Sequence, residues 1–494
     1  MGYSSRTASP PSQLGEAMTR IGRNSPPGFF LALGCCAVVA WGASPTAAQL
    51  LLRPVAIENA RIVTMDDRVF DEGTLLIKGD RIVAVGTSVD IPLLAKRIDA
   101  GGATVTPGLI DAHSSLGRTT SGGGSASAKR RAEDAFDRYA TRDLVEALSN
   151  GVTAVYLSPG NSPGVSGTGA VIRLLPDRTR ESFGQVLKSQ AALCIDLASA
   201  SKPITRLKTL QGVEKAFRDA LEYRESLAEY EEKLAEYAKQ LKEQEDEKEA
   251  DEAKQETKSK KSKPSAADDE KEDDASREEE DKGDGKEDED KPKKPQRPSR
   301  NPTAEIVLLA IDRKIPVRVS AYRSADIFNA LKAAKEFSLD MILEDVTEAH
   351  LVADAIADAE IHVVLGRMDY GATGRNALYR RAIPEPGAPL AAAGVSWIAG
   401  SGEDDGVRAR FVAMNAQLAG GSPPSTDPLR IVTAAAAEAL RVGDQIGRLR
   451  PGLLADFVLW SGDPLDPESR VRQVYVGGTL AFDGADESEE GAVE

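Results

Sequence analysis

The chain has 494 residues, with 62 Lys and Arg against 78 Asp and Glu, a net charge of −16, three histidines and three cysteines. That length supports a large buried core and more than one domain. The acidic balance excludes nucleic acid as a natural partner, because phosphate binding wants a basic face, and serves solubility instead. His113, His350 and His362 are few for a zinc, iron or manganese hydrolase, which commonly spends several imidazoles on one site.

Arg20 and Arg23 precede the apolar run FFLALGCCAVVAWGA, and small residues follow up to Gln49. A charged start, a short apolar stretch and a cleavage site near Ala48 predict a secretory signal peptide over residues 1–48 and an exported, periplasmic or extracellular protein. The run is too short and too quickly broken to predict a stable membrane span. Cys35 and Cys36 fall in that segment, so a mature chain would keep Cys194 alone and form no intrachain disulfide.

From residue 52 to 106, AIENARIVTMDD, GTLLIKGDRIVAVG and KRIDAGGATVTPG alternate apolar and polar residues and break at Gly and Asp, which predicts short strands. Residues 443–482, with ADFVLW and VRQVYVGGTLAF, have the same texture, and an acidic tail closes the chain over 483–494. Between these ends, 107–215 and 304–442 alternate strand and helix patterns. TRDLVEALSNGVTAVYL reads as helix then buried strand, and IPVRVSAYRSADIFNALKAAKEFSLDMILEDV as strand, helix, strand. Such alternation predicts an α/β barrel of parallel strands with crossover helices, whose function sits at the C-terminal ends of the strands. The glycine-rich VSGTGAVIRL lacks the Lys-Ser/Thr of a phosphate loop and reads as a tight loop near the barrel mouth.

The alternation is interrupted. Ala216, Ala220, Tyr223, Leu227, Tyr230, Leu234, Tyr237 and Leu241 fall at alternating spacings of four and three, a heptad seam that predicts a helical arm over 216–241 able to dock a protein partner. Residues 242–303 carry no large aliphatic or aromatic side chain and cannot bury enough apolar surface to offset their ordering entropy, which predicts disorder.

The stretch TPGLIDAHSSLG resembles the first barrel strand of the amidohydrolase superfamily, where Pro-Gly-aliphatic-aliphatic-Asp leads into His-x-His. GRLRPGLLADFVLW, GDPLDP and VYVGG resemble that superfamily's returning β-sandwich segment, and the imidazolonepropionase-like amidohydrolases are the most similar group. The resemblance covers most of the chain outside the signal segment, the arm and the charged insertion. It implies a (β/α)8 TIM-like barrel with a small composite β-sandwich built from both chain ends. It also implies hydrolysis of non-peptide, cyclic or amide carbon–nitrogen bonds, with one or two divalent metals activating water.

The ligand set that the resemblance implies does not carry over. His113 stands at the first His position, but Ser115 stands at the second. Cys194 falls where relatives can carry a metal-bridging Lys, and Ser320 and Tyr322, with Arg323 beside them, stand where a further His-x-His is expected. Asp345 replaces the His of a Leu-Glu-His strand end, and Gly400, Ser401 or Gly402 stands for the last Asp, with Glu403, Asp404 and Asp405 just beyond. The sequence therefore predicts a barrel without the usual metal site, acting as a binding or structural module without cofactor. Its small-molecule ligand would meet Ser115, Cys194, Ser320, Tyr322 and Arg323 at the mouth. The alternative is an active hydrolase with one divalent ion, such as zinc, held by His113, Asp345 and a carboxylate from the Glu403 loop.

Overall fold

The computed structural model describes residues 53–484 apart from residue 67, 119–125, 161, 178, 201, 260–292, 367–380, 382, 384–385, 403–409 and 411–426, and side chains are described outside 251–292. The expected signal segment, most of the charged insertion and all but the first residues of the acidic tail lie outside the described residues. Among the described residues no helix is long and apolar enough to cross a membrane.

The two chain ends meet in one sheet, as expected. The N-terminal strands are β1 (Val55–Val63), β2 (Val69–Lys78), β3 (Arg81–Gly86), β4 (Lys96–Asp99) and β5 (Thr104–Pro107). After the barrel strands β6 to β13, the C-terminal strands are β14 (Phe457–Trp460), β15 (Val471–Val476) and β16 (Thr479–Asp483). Their order is β16-β15-β14-β5-β1-β2-β3, with β4 beside β1, so β14 pairs antiparallel with β5 across most of the sequence. Alternation fills one face with Ile57, Ile62, Leu75, Ile77, Val105, Leu459 and Phe457, whose ring stacks on Tyr475 at 4.6 Å between centroids.

A second eight-stranded sheet forms the barrel. Its strands are β6 (Leu109–Ser114), β7 (Val152–Leu157), β8 (Gly164–Asp177), β9 (Ser182–Asp196), β10 (Val317–Ser320), β11 (Met341–Glu344), β12 (His362–Leu365) and β13 (Trp397–Ala399). From β9 to β13 every pairing is parallel, but β8 runs antiparallel to both β7 and β9, so the strand–helix alternation fails there. The glycine-rich stretch expected as a loop is the start of β8. It reads as a loop because its glycines carry no side chains, and Gly169 is needed for space: a Cβ there would lie 2.0 Å from the Tyr156 hydroxyl. The turn after β13 brings the barrel round to β6, where Gly402 N donates to His113 O at 2.8 Å. A Cβ on Gly400 would lie 2.5 Å from His113 N.

Helices α1 (Thr141–Ser149), α2 (Pro203–Ser259), α3 (Pro302–Ile311), α4 (Ser324–Glu336), α5 (Ala353–Asp358), α6 (Gly387–Ala392) and α7 (Ala434–Ala439) complete the layer. The heptad arm is the middle of α2, which starts 13 residues earlier than Ala216 and runs 18 residues past Leu241. Its extension into the segment expected to be disordered follows from residues of high helix propensity and ion pairs four apart, such as Lys239–Glu243.

Barrel and sheet are tied by a buried ion pair. Arg173 of β8 donates Nε to Asp456 Oδ2 at 2.9 Å and Nη2 to Oδ1 at 2.5 Å, and Gly477 N donates to Asp456 Oδ1 at 2.7 Å. Asp456→Ala strands a buried guanidinium and should lower unfolding free energy by about 3–5 kcal/mol in urea denaturation. A loss under ~1 kcal/mol would mean the pair does not join the two parts.

Candidate functional site

Each barrel strand sends alternate side chains inward. The lower interior is apolar, with Ile110, Ala154, Val171, Ala192, Ile342, Val364 and Ile398 packed over Ala436, Ala437 and Leu440 of α7 and the residue after it. The next layer toward the strand C-termini is polar. In VRVS of β10, Arg318 and Ser320 share a face, and in MILE of β11, Glu344 shares a face with Ile342.

Arg318, its side chain 1% exposed, donates Nε to Glu344 Oε2 at 2.7 Å, and its Nη2 lies 2.6 Å from the same oxygen. Its guanidinium carbon sits 3.8 Å from the centroid of the Tyr156 ring, a cation–π contact closed off from water. The Tyr156 hydroxyl lies 3.2 Å from Cys194 Sγ. Burial pushes the Cys194 thiol up to about 12, with Glu344 adding to it, so the thiol is protonated and inert at neutral pH. Burial would also raise Glu344, but Arg318 and then His113 hold its carboxyl below the ordinary 4.5.

Above this pair the strand ends bring three potential ligands together: atoms of His113, Glu344 and Asp345 all lie within 4.8 Å of one another. His113 Nδ1 is 3.5 Å from Asp345 Oδ1, and Ser320 Oγ donates to Asp345 Oδ2 at 2.8 Å. Asp345 takes a φ of 57°, the left-handed region, where β11 ends. Asp111 sets the neighbouring strand ends. Its Oδ1 accepts from His113 N at 3.1 Å and from Ser401 N at 2.8 Å, and its Oδ2 accepts from Ser401 Oγ at 2.5 Å. Burial raises the Asp111 pKa despite these donors. Asp196, at the end of β9, is raised for the same reason, and its Oδ2 is buried without a hydrogen-bond partner.

Of the residues singled out in the sequence, His113, Ser320 and Asp345 are thus brought together, and Cys194 lies against Tyr156 in the polar layer. Ser115 is half-buried just after β6. Tyr322 and Arg323 are half-buried just after β10, and Arg323 Nη1 points to Asp326 Oδ2 at 3.3 Å. His350 and His362 stand apart, in a short 3-10 turn and at the exposed start of β12. Glu403, Asp404 and Asp405 lie outside the described residues. Sequence reasoning missed Arg318, Glu344, Tyr156, Asp111 and Asp196. For Arg318 and Glu344 the signal was a single charge in each of two otherwise mainly apolar strands, VRVS and MILE.

An eight-stranded barrel with a polar cluster at its strand C-termini is thus joined to a sheet drawn from both ends of the chain. No family model matches the chain. The imidazolonepropionase of Streptomyces avermitilis is 31% identical over 132 residues, 23% of this chain and 32% of that protein. The Streptomyces coelicolor imidazolonepropionase is 34% identical over 128 residues, 20% of this chain and 33% of that protein. The chain spans about a third of the length of these curated relatives. A solved amidohydrolase from Thermotoga maritima MSB8 superposes with a TM-score of 0.63 at 23% identity, covering 87% of this chain and 100% of its own. The chain thus has the fold of that solved amidohydrolase, and part of it is similar in sequence to imidazolonepropionases.

Two outcomes test the polar layer. Arg318→Met should cost about 3–5 kcal/mol by leaving Glu344 buried and unpaired, while Arg318→Met/Glu344→Leu should recover most of that loss. Because Glu344 is lower in the folded than in the unfolded state, its contribution is complete above pH 4.5 and fades as pH falls through the folded value. The wild-type acid limb should therefore be steeper than that of the double variant, and equal limbs would contradict the assignment. Cys194 should resist a thiol reagent in the native protein at pH 8 and react on unfolding; fast native labelling would show an open barrel interior.

Proposed function

We propose that this chain is an exported amidohydrolase-fold protein that uses its barrel mouth to bind a small molecule, without the superfamily's metal-assisted hydrolysis. The observation that carries this reading is the guanidinium of Arg318 inside the barrel. It already supplies the positive charge that Glu344 needs, at hydrogen-bond distance and sealed under Tyr156.

The donor set does not fit a hydrolytic metal. Such an ion needs imidazoles and carboxylates with lone pairs free to face it. Here one imidazole is present, Glu344 is held by Arg318, and Asp345 accepts from Ser320. Of the other residues singled out in the sequence, Ser115, Ser320 and Cys194 are neutral. An ion held by Glu344 would lie roughly 5 Å from the guanidinium, a repulsion of about 6–7 kcal/mol at an effective dielectric near 20. The acidic balance of the chain and the position of the cluster at the strand ends support a small ligand rather than nucleic acid.

A second reading has its own support: His113 Nδ1 lacks a hydrogen-bond partner, and the His113, Glu344 and Asp345 atoms converge within 4.8 Å. On that reading these residues would hold a single divalent ion, which would supply an activated water for amide hydrolysis.

Elemental analysis after incubation with zinc, manganese and iron separates the two. We expect well under one equivalent of metal in a folded sample, and the same low level in His113→Ala. Near-stoichiometric metal that is lost in both His113→Ala and Asp345→Ala would overturn the metal-free reading and direct substrate screening to cyclic amides.

A further inference from the structure

Asp196 ends β9 at the barrel mouth, and the sheet fixes its place. It pairs with Ser320 of β10, and Ser320 pairs with Glu344 of β11. Carboxyl, hydroxyl and carboxyl thus stand at one level on three adjacent strands. Cys194, two residues earlier, meets Tyr156 inside the barrel, and the period of two sends the Asp196 side chain to the same side.

The other buried acids of the mouth have their partners. Asp111 accepts from His113 N and from the N and Oγ of Ser401, Glu344 meets Arg318, and Asp345 meets Ser320 and His113. Asp196 differs. Its Oδ1 accepts from Ser199 N at 2.9 Å, but Oδ2 has no hydrogen-bond partner, in a residue only 2% exposed. A water molecule satisfies a lone pair but brings no countercharge, and a buried carboxylate without one is costly. There is also space beside it. Gly164, directly opposite Asp196 in the β8–β9 pairing, is buried, and a Cβ on it would meet nothing within 4 Å.

We infer, on the metal-free reading of the mouth, that its ligand is a small organic cation whose ammonium or amidinium N–H groups donate to Asp196 Oδ2. The ligand's charge is the one this carboxylate lacks. Ser320 Oγ, which gives its proton to Asp345, keeps lone pairs for a second donor one strand away, about 5 Å by strand spacing. A metal ion fits this place less well. It needs several ligand atoms, whereas Asp196 has one open oxygen and stands outside the His113, Glu344 and Asp345 set that converges within 4.8 Å. A monovalent cation also meets half the repulsion from Arg318 that a divalent one would at the same distance. A carboxylate ligand would face Asp196 with like charge.

The experiment titrates the full chain at neutral pH with three probes of one shape, butylammonium, butyramide and butyrate, read by saturation-transfer NMR in wild type and Asp196→Asn. We expect butylammonium to bind wild type roughly ten-fold or more tighter than either other probe, and to lose roughly ten-fold or more in Asp196→Asn. The variant keeps an acceptor for Ser199 N and removes a buried carboxylate, so without probe it should melt no lower than wild type. Butyrate or butyramide binding as tightly as butylammonium would overturn the cation while leaving a metal-free mouth in place. Absence of butylammonium binding to wild type, equal binding to both proteins, or a variant that melts well below wild type would overturn it too. Near-stoichiometric metal in the same samples would instead overturn the metal-free reading itself.

Discussion

The ion pair between Arg318 and Glu344 is the constraint around which the barrel interior is arranged. Two charges removed from water are tolerable only if each faces the other and the rest of the guanidinium meets something polarizable. Tyr156 provides that face, and its own position depends on Gly169, since any Cβ there would collide with the phenol. Cys194 accepts or donates at the phenol's free end. Four strands, β7 to β10, are thereby bound to one arrangement with β11, and the reversal of β8 places Gly169 where the phenol needs space.

The same pair governs what the mouth above it can do. Glu344 offers its carboxylate downward to a fixed cation, and Asp345, in a left-handed backbone conformation, offers its own to Ser320 and His113. Both acids are thus partnered before any ligand enters. Glu344 therefore meets a fixed cation inside the barrel at hydrogen-bond distance. Asp196 Oδ2 and His113 Nδ1 are buried there without a hydrogen-bond partner.

Much of the architecture was legible in the sequence, because period-two alternation marks strands wherever one face is buried and the other wet. That held for both chain ends, and the Asp-x-His stretch of β6 pointed to the mouth through His113. It failed where a strand is buried on both faces. In VRVS and MILE, alternation distinguishes barrel interior from helix layer, not core from solvent, so it carries no mark of the burial of Arg318 and Glu344. It failed again in β8, whose glycines mimic a loop because the side-chain volume that the strand needs is supplied by Tyr156 from β7. Pairings across hundreds of residues, such as Asp111 with Ser401, leave no local signature at all.

The arm shows why a large insertion is compatible with this barrel. The crossover from β9 to β10 needs only a short helical layer against the sheet, and two helix bases provide it. Val213, Phe217 and Ala220 of α2 and Ala304, Val307 and Ala310 of α3 are buried, and Phe217 stacks on Phe337 at 5.0 Å between centroids. Arg224 of α2 reaches Asp312 after α3 at 2.8 Å, closing the junction. Beyond that point the described side chains of α2, from Arg224 to Ala250, are half-buried or exposed. Loop-closure entropy grows only slowly with length, so a long insertion at this crossover adds little to that cost.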